Sequence, residues 1–91
     1  METELFKSTD TMLVTFLLYR NFSPFKPPVA KKRYVTFFFE KTPELEQAVQ
    51  EFHSRKATCE PLTLLEKFRT VKSLVIDARN EYAEQETKYD D

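Results

Sequence analysis

Tyr34-Val35-Thr36-Phe37-Phe38-Phe39-Glu40 is the stretch whose reading decides the fold. It is dense in β-branched and aromatic side chains, which fit a pleated, half-buried surface. At a period of two, Val35, Phe37 and Phe39 share one face, and Tyr34, Thr36, Phe38 and Glu40 share the other. The first face is wholly apolar and needs a cover. The second is mixed, as expected where a sheet meets solvent on one side.

On the N-terminal side the chain reads Phe22-Ser23-Pro24-Phe25-Lys26-Pro27-Pro28-Val29. Proline has no amide donor, so this can only be an extended loop or an irregular edge strand. We read it as an edge strand joined through Ala30–Arg33 to Tyr34–Glu40. Leu5-Phe6-Lys7 forms a short strand that ends at Ser8-Thr9-Asp10, three good N-cap residues. The run Met12–Tyr19 then reads as a buried helix with Leu13, Phe16 and Leu17 inward. Asn21 is the best residue for a left-handed cap at its end.

C-terminal to the strand, Thr42-Pro43 is a strong helix start, with Thr as N-cap and Pro at the first helical position. Leu45, Ala48, Val49 and Phe52 repeat at i, i+3, i+4 and i+7 and should lie on Val35, Phe37 and Phe39. A third helix opens at Pro61. Its apolar seam is Leu64, Phe68, Val71, Val75, Ala78 and Tyr82, widened by Leu62, Leu65 and Leu74. The expectation is an α+β domain over residues 1–84: a small antiparallel sheet, made of the short N-terminal strand and an irregular hairpin, packed on three helices in the order β-α-β-β-α-α. Residues 85–91 form an acidic tail that frays.

With 91 residues the chain has room for one modest core. Nine Phe and four Tyr supply that core and argue against disorder. A single cysteine, Cys59, forbids an internal disulfide and suits a reducing cytoplasm. The longest apolar run, Met12–Tyr19, falls far short of the roughly 20 residues of a membrane span. Glycine is absent, which excludes Gly-rich phosphate loops.

With these elements in place, the chain resembles a family of short bacterial and phage proteins known only as a domain of unknown function. The matching residues are Ser8 and Asp10, then Leu13, Phe16 and Leu17. They continue through Val35-Thr36-Phe37-x-Phe39-Glu40, Thr42, Glu44-Leu45, Val49 and Phe52, and end at Lys72-Ser73-Leu74. The likeness covers about residues 5–76, and Val-Thr-Phe-x-Phe-Glu-x-Thr is its most specific part. Asn21 stands where such proteins usually have Gly, and both tolerate a left-handed cap. The resemblance implies a compact α+β fold and a phage or mobile-element setting. It supplies no catalytic residues.

The residues themselves give no catalytic or metal-binding constellation and call for no cofactor. His53, the only histidine, has no assigned carboxylate or nucleophile beside it. With Cys59 it makes only two metal ligands, where a structural zinc takes four. Cys59 sits next to Glu60, which disfavours a thiolate. The reading is therefore not an enzyme.

The charge balance is near zero overall, 14 basic against 15 acidic groups, but it is uneven along the chain. Residues 21–41 hold five cations against one acid, a surplus of four. Within them Phe25, Lys26, Lys31, Lys32, Arg33 and Tyr34 interleave cations with rings near a hairpin tip. Cations neutralise phosphates and rings stack on bases, so this is the candidate binding site, with nucleic acid as its alternative ligand. The bland reading is a solvated hairpin whose lysines blunt an edge strand. Glu44, Glu51 and the acidic tail, including Glu84, Glu86, Asp90 and Asp91, could meet a basic protein.

The third-helix seam is about 28 Å long at 1.5 Å per residue, nearly the width of such a domain. Its first half should pack on the domain, with Leu62 and Leu65. Its second half, Val75, Ala78 and Tyr82, should then either meet a second copy in a two-fold dimer or bend back so that Tyr82 covers the sheet edge. The leading functional expectation is a small cytoplasmic interaction or regulatory module for a protein partner, with no membrane contact.

Overall fold

The computed structural model describes residues 4–89, with side chains as far as Glu84. The elements are β1 (Leu5–Ser8), α1 (Thr11–Tyr19), β2 (Lys26–Ala30), β3 (Val35–Glu40), α2 (Pro43–His53) and α3 (Pro61–Tyr89). The fold is α+β in the expected order. The sheet is antiparallel with strand order β1-β3-β2, so the quoted stretch is its central strand. Leu5 pairs with Glu40 and Phe6 with Phe39 on one side. On the other, Val29 pairs with Thr36 and Ala30 with Val35, with a break in register between Lys26 and Val29. The break falls on Pro27-Pro28, where no amide is available to continue the ladder.

Helix ends follow local chemistry. The Asp10 carboxylate accepts from the amides of Met12 and Leu13 at 3.0 and 3.2 Å, and Thr42 Oγ1 accepts from the Leu45 amide at 3.1 Å. Asn21 closes α1 with φ 70°, the left-handed cap its sequence position calls for. Its amide bonds to the Leu18 carbonyl and the Phe22 amide to the Leu17 carbonyl. Arg55 closes α2 by the same device, with φ 62°. No glycine is available for either position.

Glu60 caps α3, accepting from the amides of Leu62 and Thr63 at 3.1 and 2.6 Å. Hydrogen bonds from the Thr63 hydroxyl and then from the Thr63 and Leu62 amides hold its carboxyl below the ordinary value of 4.5. A depressed folded pKa means that the stabilisation is complete above that value and is lost as the pH falls through the lower, folded one. Comparing urea midpoints at neutral pH and at about pH 3.5 should show a smaller acid-induced loss for Glu60→Gln than for the parent. An unchanged pH dependence would remove this carboxyl from the acid response.

The core joins Val35, Phe37 and Phe39 of β3 to Leu13, Val14, Phe16 and Leu17 of α1, Leu45 and Ala48 of α2, and Val71 and Ala78 of α3. The helices share it differently from the sequence expectation. The stripe of α2 reaches this core, but α2 lies closest to α1, and the helix that approaches β2 and β3 is α3. The reason is the strand order, which leaves α3 alongside the β2 edge while α1 lies between α2 and α3. The Phe16 and Phe52 rings meet at 5.7 Å in that α1–α2 contact, and Arg20 pairs with Glu51 at 2.6 Å on its surface.

Helix α3 reverses its expected halves. Leu62 and Leu65 are 71% and 43% exposed, whereas Val71 and Ala78 are buried and Val75 and Tyr82 pack half-buried on the core. Helical phase explains the first pair. At 100° per residue, Leu62 and Leu65 are turned well away from the direction of Val71 and Ala78. The helix also continues to Tyr89, beyond Thr87, where the composition predicts fraying. Residues 90 and 91 lie outside the described residues.

Candidate functional site

The sheet face opposite the core is set by the pairing. Lys7 and Lys26 both stand opposite Phe38, and Val29 stands opposite Thr36. Lys26 Nζ lies 4.3 Å from the centre of the Phe38 ring, a cation–π contact. Phe38 is only 8% exposed although it points away from the helices. Its flanking lysines explain this, because long cationic side chains can lay their stems on an apolar ring while their heads stay in water.

At the far end of β2 and β3 the chain turns through Lys32 and Arg33, with the Lys31 amide donating to the Tyr34 carbonyl at 2.7 Å. Beside this turn lies an open groove of about 590 Å³ lined by Lys31, Lys32, Arg33, Tyr34, Thr36 and Tyr82. Three cations and two phenol rings thus share one concavity. Tyr34 is 53% exposed, while Tyr82 comes in from α3 and rests partly on the core. The Arg79 guanidinium donates to the Arg33 carbonyl at 3.5 Å, linking the same helix to the turn. Among the described residues no acidic side chain lines the groove; Glu81 borders a smaller neighbouring cavity of about 140 Å³.

Of the six residues read as a binding site, Lys31, Lys32, Arg33 and Tyr34 are brought together. Phe25 and Lys26 sit at the other end of β2, where the Phe25 amide bonds to the Phe38 carbonyl at 2.7 Å and Lys26 covers Phe38. Tyr82 and Arg79 complete the groove region and were not legible as part of it. They lie 48 and 46 residues from Tyr34 and Arg33, and only their i, i+3 spacing on one helix links them. The interface expected at Val75, Ala78 and Tyr82 is used differently. Ala78 is 6% exposed within the chain's own core, and its two neighbours pack against that core. This stripe packs on the chain's own core.

Chemically, the groove can hold an anion by charge and a planar group by stacking. His53 is exposed and stands edge-on to Phe52 at 5.6 Å. Cys59 is a free, half-buried thiol. Among the described residues no three His, Cys, Asp or Glu side chains gather to hold a metal ion, and no helix is long and apolar enough to cross a membrane.

No curated protein and no solved structure matches this chain. A family model does match it, over residues 3–77, which takes in every element from β1 to the first half of α3. The chain belongs to that family, described as a domain of unknown function, DUF5659.

Proposed function

We propose that this is a small, non-enzymatic interaction module that works through the groove at the β2–β3 turn, with single-stranded nucleic acid as its ligand. The observation that carries the reading is the convergence of Lys31, Lys32 and Arg33 with Tyr34 and Tyr82 around one open groove. Cations supply affinity for the phosphates, and aromatic faces accept any base, so binding would depend strongly on salt and weakly on sequence. The near-zero net charge confines the attraction to this surface and gives no general affinity for polyanions. A cytoplasmic accessory protein of a phage or mobile element, the setting implied by the resemblance, suits such a module.

Fluorescence anisotropy with short single- and double-stranded oligonucleotides at two salt concentrations tests this directly. The intact protein should prefer the single strand and lose affinity as salt rises. Replacing Lys31, Lys32 and Arg33 together with Ser should reduce the slope of log affinity against log salt by about two. The fold should be unaffected within about 0.5 kcal/mol, since all three are exposed. Absence of binding at low salt would end this reading.

A protein partner is the second reading, and one observation favours it. Leu62, Leu65 and Ile76, exposed by 71%, 43% and 56%, lie on the same side of α3. Proteins recovered with the chain from its native host should be lost on Leu62→Glu with Leu65→Glu if this side of the helix is their seat.

A further inference from the structure

A second concavity, of about 280 Å³, opens where the ends of the three helices meet. Met12 and Phe16 of α1, Phe52 of α2 and Leu64 of α3 form most of its wall, with Ala57 and Cys59 of the connector closing it. Arg55 contributes its one charged side chain. An apolar cavity of about 150 Å³ can take benzene, so this space suits a ring with a short arm or an acyl chain of about eight carbons.

Two observations concern Arg55. Its φ of 62° places it in the left-handed region, which a Cβ disfavours and which helix ends usually give to Gly or Asn. Asn21 fills the equivalent position on α1, yet an arginine stands here at the rim of an apolar pocket. Strained positions of this kind gather at ligand sites. The acids within a few residues are already engaged. Glu51 is paired with Arg20 at 2.6 Å, and Glu60 caps α3 through the Leu62 and Thr63 amides. Among the described residues no carboxylate forms an ion pair with Arg55.

We propose that this pocket binds a small amphipathic carboxylate. Its apolar body lies among Met12, Phe16, Phe52 and Leu64, and its carboxylate is held by the Arg55 guanidinium. The site is separate in residues and chemistry from the groove at the β2–β3 turn, and either can stand without the other.

Cys59 provides the readout, because it lines the pocket and is the only thiol in the chain. Its alkylation by N-ethylmaleimide is followed with increasing octanoate, using octanol as the uncharged comparator. Octanoate should slow the reaction saturably, and octanol should require about ten- to a hundredfold higher concentration, the difference a charge-assisted hydrogen bond makes. Arg55→Gly should melt no lower than the parent, since glycine suits the left-handed position, and should erase the preference for octanoate. Arg55→Gln should erase it too. Equal protection by octanol, no protection by octanoate, or a preference that survives in the two folded variants would each overturn the proposal.

Discussion

Truncating Phe37 to alanine is expected to cost about 3–5 kcal/mol. Its side chain is fully buried on the central strand, on the face that meets α1 and the rest of the core. β1 pairs with β3 at Phe37 itself and β2 pairs at Thr36 and Phe38 on either side of it, so the backbone has little freedom to collapse into the space left by the ring. A domain of this size has a total stability on the order of 5–15 kcal/mol, so the variant should be largely unfolded or close to it. Urea unfolding followed by circular dichroism measures the loss. A midpoint within experimental error of the parent would mean that Phe37 is not packed as described.

Ala78→Glu should be nearly as damaging, for a different reason. Ala78 lies in the core on the stretch of α3 that runs alongside β2, and a small cavity bounded by Pro28, Val29, Ala30 and Tyr82 touches it. A carboxylate there loses its hydration with no cation among the described residues of the cavity lining, a penalty of about 3 kcal/mol or more. The two accounts of this stripe separate cleanly in that experiment. If the chain's own sheet covers Ala78, the variant loses stability at every protein concentration. If a second copy covered it, light scattering would show a stable monomer replacing a dimer, with the fold intact.

How much could be read beforehand depended on the range of the interactions. The start of α2 was legible because Thr42, Pro43 and the stripe from Leu45 to Phe52 all act within a few residues of one another. The left-handed turn at Asn21 was legible for the same reason, in a chain without glycine. The alternation of β3 correctly separated Phe37 and Phe39 from Phe38. It could not show that Phe38 would be covered, because the covering group, Lys26, is placed by strand pairing. The greatest divergence came in α3. Its heptad seam was identified correctly, but a seam does not say what covers it. Its second half packs on this chain's own core. That same placement turns Tyr82 toward the basic turn, and four of the six basic and aromatic residues read as a site share its groove.

The prolines of β2 have a consequence for the way any macromolecule can engage the sheet. Many small domains recruit extended peptides by adding a strand to a free edge, with main-chain hydrogen bonds supplying the affinity. Here β2 is the edge strand beside the basic turn, and two of its five residues, Pro27 and Pro28, have no amide hydrogen to offer. Its register is also broken at that point, which prevents a neighbour from running straight alongside it. Such an edge resists extension by a visiting strand, including one from another copy of the same chain. Any recognition on this side of the domain would therefore fall to side chains, and binding of the nucleic acid proposed above would tolerate change in the ligand's sequence more readily than change in its charge.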